Sequence, residues 1–253
     1  MELMVLGNGA AYPGPGQACS GYLIRNGRTG LMVDCGNGVV SRLQEAGEED
    51  NVTALLFTHL HADHCLDIFS LFYQRIYNRD KSYPRLPLYL PPGEADRLAR
   101  IAEVLRVEPK KLFEKAFEPI EYDAVVGLDV DALHLTFSRN EHPVPTYAVR
   151  VEGGGASFVY SSDTGPQPEL QRLARDCDLL LSEASLSDAD FDPARPIHLT
   201  PRLAAEVAAG AGVKQLLLTH IWPYYDRAAM LKDARQVFPP TALAEELRRY
   251  PVG

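Results

Sequence analysis

The sequence has no apolar run approaching the roughly 20 residues that a membrane-spanning helix requires. Its longest stretches, such as Ala54–Phe57 and Leu216–Leu218, are only four and three residues long. Cysteine is scarce: Cys19, Cys35, Cys65 and Cys177 form no CxxC pair. Each lies in or beside an apolar stretch, so they read as reduced core residues rather than a disulfide framework. The basic, apolar and small-residue regions of a secretory signal are missing, because Met1-Glu2 runs straight into a strand-like segment, and the expected location is cytoplasmic. Positive charge is also short, with 25 Lys+Arg against 34 Asp+Glu and a formal net charge of −9. Such a surface repels phosphate backbones, which excludes generic DNA or RNA coating. It does not exclude a local cationic centre, since a pair of bound divalent metals concentrates positive charge at one point.

What is present is globular. Hydrophobic residues make up 46% and charged residues 23% of 253 positions, enough for a sizeable core. Strand-like runs recur at Glu2–Leu6, Gly21–Arg25, Gly30–Asp34, Ala54–Thr58, Pro87–Leu90, Ala132–Phe137, Thr146–Val151, Ala156–Ser161, Asp178–Ser182 and Gln215–Thr219. Helical periodicity fills Gly38–Ala46, Asp63–Asn78, Glu94–Arg106, Pro109–Ala116, Pro168–Asp176, Pro201–Ala209, Arg227–Val237 and Ala242–Arg249. Thr200 is placed to cap the helix that begins at Pro201, and Gly210 to end it. With no linker, repeat or low-complexity tract, residues 1–253 are expected to form one α/β domain of two pseudo-equivalent halves, with helices on the outer faces of its sheets.

The chemistry concentrates in Thr58-His-Leu-His-Ala-Asp-His64, directly after the apolar run Ala54–Phe57. At a strand end His59 and His61 point to the same side, and the following turn brings round Asp63 and His64. Imidazole nitrogen and carboxylate oxygen suit zinc and similar metals, and four donors so close exceed what one ion with open positions needs, so the spacing suggests two metals. Further donors follow other strand-like runs: His142, Asp163 and His220. Loops on the ends of sheet strands are where a rigid scaffold presents functional groups.

These motifs resemble the metallo-β-lactamase superfamily of binuclear hydrolases. The likeness runs over nearly the whole chain, including Leu6-Gly-Asn-Gly-Ala10 and Leu31-Met-Val-Asp-Cys-Gly36. It implies an αββα sandwich of two mixed sheets. It also implies that His59, His61 and His142 hold one metal, that Asp63, His64 and His220 hold a second, and that Asp163 bridges them. Zn²⁺ is the expected ion, and Mn²⁺ or Fe²⁺ suits the same ligands. By the same resemblance Asp34 is structural, orienting the histidine loop, and the glycine-rich loop Gly7–Gly16 borders the site.

Within the superfamily, Asp163 stands where true metallo-β-lactamases usually carry cysteine, and His61 is not the glutamate typical of oxygen-reducing diiron members. The loop Glu141-His-Pro-Val-Pro-Thr-Tyr147 resembles that of the ribonuclease Z-like phosphodiesterases. That branch places a histidine in an H-x-T/S segment beside the scissile phosphate, which here is His198 in His198-Leu-Thr200, with Glu183 as a candidate for orienting it or else a solvated loop carboxylate. The long arm with which ribonuclease Z enzymes grip transfer RNA has no room, because His142 and Asp163 are only 21 positions apart. Tyr73, Tyr77 and Tyr83 with Arg75, Arg79, Lys81 and Arg85 read either as a base-stacking, phosphate-contacting patch or as one amphipathic helix and its exit loop.

The expected function is therefore metal-dependent hydrolysis of a small phosphodiester or RNA end, with a hydroxide held between two cations as nucleophile. Asp63 is expected to accept a hydrogen bond from the nucleophile and His198 to assist the leaving oxygen. A lactonase or thioesterase using the same centre, and a silent metal-binding scaffold, are the alternatives. The resemblance also implies a tendency to form homodimers.

Overall fold

The computed structural model describes residues 1–105 and 110–253. In chain order the elements are β1 (Glu2–Gly7), β2 (Gly21–Asn26), β3 (Thr29–Val33), α1 (Val39–Glu45), β4 (Ala54–Leu56), α2 (Ala62–Cys65), α3 (Ile68–Tyr77), β5 (Leu86–Leu90), α4 (Ala95–Val104), α5 (Lys110–Ala116) and β6 (Phe117–Glu121). They continue with β7 (Leu128–Val130), β8 (Leu133–Arg139), β9 (Tyr147–Gly153), β10 (Ala156–Tyr160), α6 (Pro168–Leu173), β11 (Leu179–Glu183), α7 (Pro201–Ala211), β12 (Gln215–Thr219), α8 (Arg227–Val237), β13 (Thr241–Leu243) and β14 (Arg249–Pro251).

The strands form two seven-stranded sheets, ordered β14-β1-β2-β3-β4-β5-β6 and β13-β12-β11-β10-β9-β8-β7. Alternation along each strand explains the layering, because successive side chains point to opposite faces. In β1, Leu3 and Val5 face the layer between the sheets, whereas Met4 and Leu6 lie with the helices. In β10, Phe158 and Tyr160 join the same middle layer while Val159 packs beneath the helices of the second sheet. Both faces are thus buried, which is why strands such as β3 and β11 read as unbroken apolar runs instead of alternating ones. The result is the expected αββα sandwich. All four cysteines are free and buried, and burial pushes the thiols of Cys19, Cys65 and Cys177 up to about 12. No helix among the described residues is long and apolar enough to cross a membrane.

Three sequence expectations differ from the structure. The segment Ala242–Arg249 is not a helix: Thr241–Leu243 pairs with β12, and Arg249–Pro251 pairs with β1 on the other sheet. Strand partners satisfy its backbone groups, so tertiary context overrides a modest helical preference. The helix expected over Asp63–Asn78 is broken at Leu66–Asp67, where the Asp67 N–H donates to Cys35 O and its carboxylate accepts from Val40 N. Helix α7 runs past Gly210 and ends at Gly212, which takes the left-handed conformation at φ 69°. Its start is as expected, with Thr200 Oγ1 accepting from Leu203 N at 3.3 Å and Pro201 in the first turn. The edge strand β7 is only three residues long and β6 is mostly exposed, so neither stands out as an apolar run, and β6 tolerates Pro119 because it lies at the sheet's rim. Of the helices expected over Glu94–Arg106 and Pro109–Ala116, the positions Arg106 and Pro109 lie outside the described residues.

Candidate metal centre

The seven expected ligands gather on one edge of the sandwich. His59, His61, His142 and Asp163 offer donor atoms within 4.8 Å of one another, as do Asp63, His64 and His220. They come from the loops after β4, β8, β10 and β12. In the first sheet β3 and β4 are parallel, and in the second β10, β11 and β12 are parallel with β8 aligned through β9, so the carboxyl ends of these strands share an edge.

Each histidine but one has its outward nitrogen occupied, which fixes the tautomer and aims the other nitrogen inward. The His64 Nδ1–H donates to Asp34 Oδ2 at 2.8 Å. His142 Nδ1 donates to Ile197 O at 3.2 Å, and His220 Nδ1 lies 2.7 Å from Ser185 Oγ. His59 Nδ1 sits 3.2 Å from Thr58 Oγ1. His61 is reversed and presents Nδ1, which lies 3.1 Å from His59 Nε2 and 3.2 Å from His142 Nε2.

Three ring nitrogens facing one another cannot all be satisfied by protons, since each neutral imidazole carries only one. Across the centre, His64 Nε2 and His220 Nε2 face each other at 3.3 Å. Between the two groups stands Asp163, whose Oδ1 is buried with no hydrogen-bond partner. Its Oδ2 lies 3.8 Å from both His59 Nε2 and His142 Nε2. Converging lone pairs and an orphaned buried carboxylate oxygen are what a divalent cation would complete, so the residues fit a metal site.

The electrostatics agree. Burial, then the neighbouring His64 charge, holds His59 well below the ordinary histidine range, which is the neutral, ligating form. Burial also opposes charge on His64, but Asp163, Asp63 and Asp34 outweigh it and raise its proton affinity well above the usual value. The same anionic field favours any cation at that nitrogen.

The supporting loops are held tightly. Asp34, fully buried with φ 59°, accepts from Thr58 N at 2.9 Å as well as from His64, which is the orienting role expected of it. The backbone of Gly36 lies so close to Asp63 that an added Cβ would fall 1.9 Å from Asp63 O, so only glycine fits. Gly165 is bound in the same way by Pro196 O, which would be 1.6 Å from a Cβ and which leads into the His198 segment. Among the described residues, four of the seven non-glycine positions with positive φ (Ala11, Asp34, Ser162 and His220) adjoin the cluster, and such strained backbone is typical of functional sites. The glycine-rich loop does border the site: Ala11 N donates to Asp63 Oδ2 at 2.8 Å.

His198 joins this edge, with a donor atom within 4.8 Å of those of Asp163 and His220. Its Nδ1 donates to Glu183 Oε1 and Oε2 at 3.1 and 3.2 Å. Burial works against its charged form, but Glu183, then Asp163 and Asp63, override this and lift it to about 9. Glu183 is fully buried, not a solvated loop carboxylate, and also accepts from Thr164 N at 2.6 Å and Ser185 Oγ at 2.5 Å. One carboxylate therefore braces His198, the Asp163 loop and, through Ser185, His220.

Ser185 and Asn140 escaped the sequence reading. Asn140 Nδ2 donates to Ser161 O and Asp163 O at 2.7 and 2.9 Å, tying the His142 loop to the Asp163 loop. A lone serine and asparagine carry no spacing signal, so only the fold exposes them. The seventh histidine, His134, is remote and pairs with Asp129 at 2.6 Å. Three of the four basic residues near Tyr73 are engaged by the protein itself. Arg75 is buried under the Tyr83 ring at 5.1 Å, Lys81 pairs with Glu49 and Asp50, and Arg85 donates to Phe117 O. That favours the amphipathic-helix reading over a phosphate-contacting patch.

Comparison with known proteins agrees with this architecture. The pattern of the β-lactamase superfamily domain matches residues 29–221. An uncharacterised protein of Mycobacterium tuberculosis is 35% identical over 240 residues, spanning 94% of this chain and 87% of that protein. A ribonuclease Z of Mycobacterium bovis is 30% identical over 249 residues, spanning 88% of this chain and 86% of that enzyme. The crystal structure of the metallo-β-lactamase fold protein YhfI from Bacillus subtilis superposes with a TM-score of 0.89 at 27% identity, covering 100% of this chain and 99% of the other. A shared fold, a ligand-rich edge and family-wide sequence similarity coincide, and the chain belongs to the β-lactamase superfamily.

Proposed function

We propose that the protein is a binuclear metal-dependent phosphodiesterase of the ribonuclease Z-like kind. His59, His61 and His142 would hold one cation and Asp63, His64 and His220 a second, with Asp163 shared. Zinc is the favoured ion for this imidazole and carboxylate set. Divalent cations there supply Lewis acidity, making water acidic at neutral pH and offsetting the charge that builds on phosphoryl oxygens during in-line displacement.

The observation that carries the reading is His198. Beyond the seven residues proposed as ligands, the rim carries a further imidazole that is braced by a buried carboxylate and lies within reach of Asp163 and His220. With Nδ1 committed to Glu183, Nε2 is left to hold a proton for the departing oxygen. Asp63, whose Oδ2 accepts from Ala11 N, would accept a proton from the attacking water. The similarity to a ribonuclease Z supports the same reading.

The test is to strip the metal, reconstitute with Zn²⁺ or Mn²⁺, and assay bis(p-nitrophenyl) phosphate and cyclic nucleotides alongside lactones and thioesters. Turnover of the diesters is expected, and failure with both metals would overturn the proposal. His198→Ala separates diester from acyl hydrolysis. It should cost roughly 10²- to 10⁴-fold on a phosphodiester while leaving metal content unchanged, whereas an acyl hydrolase would lose much less.

A further inference from the structure

Beside the metal centre runs an arc of aromatic rings that neither the fold nor the ligand set explains. Tyr12 and Trp222 meet edge-on with centroids 5.6 Å apart, Trp222 and Tyr224 are 5.7 Å apart, and Tyr224 and Tyr225 are 4.6 Å apart. Tyr12 and Tyr224 are 49% and 64% exposed, a large apolar area to leave in water. The arc is fastened to the cluster at Tyr12 and Trp222. Tyr12 follows Ala11, whose N–H holds Asp63, and Trp222 stands two residues after His220. The two segments are joined at Gly9 and Ile221 by a β-bridge. At the far end Tyr225 OH donates to Asp190 Oδ2 at 2.7 Å, anchoring the arc to the loop that leads to His198. The rings are therefore held in place on a rigid rim, and their outer members are open to solvent.

We infer that Tyr12, Trp222 and Tyr224 form a base-stacking subsite, so that the substrate is a small nucleoside phosphodiester whose base lies on this arc while its phosphate reaches the metal centre. The inference rests on the phosphodiesterase reading and adds the substrate class. Aromatic faces bind any base through stacking, without hydrogen-bond readout. Two observations favour a mononucleotide-sized ligand over a polymer. The net charge of −9 works against a polyanion. The basic side chains Arg75, Lys81 and Arg85 are engaged by the protein's own groups.

Trp222 is the single tryptophan of the chain, so its fluorescence reports on the arc alone. The zinc-loaded protein is titrated with adenosine 5′-monophosphate and, in parallel, with ribose 5-phosphate. Saturable quenching by the nucleotide but not by the sugar phosphate is expected, and Tyr12→Ala and Tyr224→Ala should each weaken nucleotide binding about tenfold. Equal responses to both ligands, no response, or unchanged affinity in both variants would overturn the inference. Kinetics separate it from the reading beneath it. With a nucleoside cyclic phosphate and its base-free methyl riboside counterpart, Trp222→Ala should raise KM for the first at least about tenfold more than for the second. Selective quenching without turnover of any diester would sink the phosphodiesterase and keep the subsite. Equal wild-type turnover of both diesters would sink the subsite and keep the phosphodiesterase.

Discussion

The two sheets repeat one pattern, three antiparallel pairings followed by three parallel ones, yet they furnish the metal centre in different ways. The first sheet concentrates its donors: His59, His61, Asp63 and His64 all come from one six-residue stretch after β4 that runs into α2, with Asp34 reaching across from the end of β3. The second sheet disperses them, His142, Asp163, His198 and His220 each arriving from a separate loop. A concentrated loop needs one internal brace. Dispersed donors need cross-links, and Asn140, Glu183 and Ser185 supply them. The same edge thus combines a locally encoded half with a half assembled by the fold.

That contrast can be broken at several points. Asp163 is the one expected ligand facing both groups, so Asp163→Ala should have the largest effect. A loss of more than about 100-fold in metal affinity is expected, beyond what loss of an outer partner costs, and elemental analysis after dialysis measures it. Full metal retention would mean the two halves bind independently. Next come the braces. Asp34→Asn places an amide against the His64 Nδ1–H and should cost about 10- to 100-fold in metal affinity. Ser185→Ala leaves Glu183 in place and should cost clearly less. A larger penalty for Ser185→Ala would invert the comparison and make the dispersed half the more fragile one.

The smallest expected effect concerns the strand that closes the first sheet. Arg249 of β14 is paired with Glu48 and Glu2. Burial opposes charge on Glu48, but Arg249 and Asn51 outweigh it and hold its carboxyl below the usual range. A depressed carboxylate stabilises above the ordinary carboxylate range, and that contribution fades as pH falls through the lowered value. Glu48→Gln should therefore reduce stability near neutral pH by only about 1 kcal/mol, because Arg249 is partly exposed and solvent screens the pair. It should also flatten the acid side of the stability profile, as followed by denaturant unfolding from pH 7 downward.

Legibility followed the same divide. The six-residue histidine loop stood out because its donors are neighbours in the chain, and the apolar strand runs and the Thr200-Pro201 helix start were visible for equally local reasons. His142, Asp163 and His220 were identifiable as strand-end donors, but their grouping came through family resemblance. Ser185, Asn140 and the Ile197 carbonyl left no trace, since their roles consist only of partners distant in sequence. The C-terminal segment misled for a related reason. Its helical composition is real, but pairing with β12 and β1 offered its backbone a better set of hydrogen bonds.

By itself the amino-acid order determined which donor atoms exist, the local loop that presents four of them, and the two-sided burial that calls for a sandwich. Tertiary structure decided the rest: which nitrogen each imidazole turns inward, the carboxylate that braces His198, and the aromatic rim. Donor chemistry and strand alternation are properties of neighbouring residues. Convergence across a shared sheet edge depends on strand order and register, which no short stretch of chain contains.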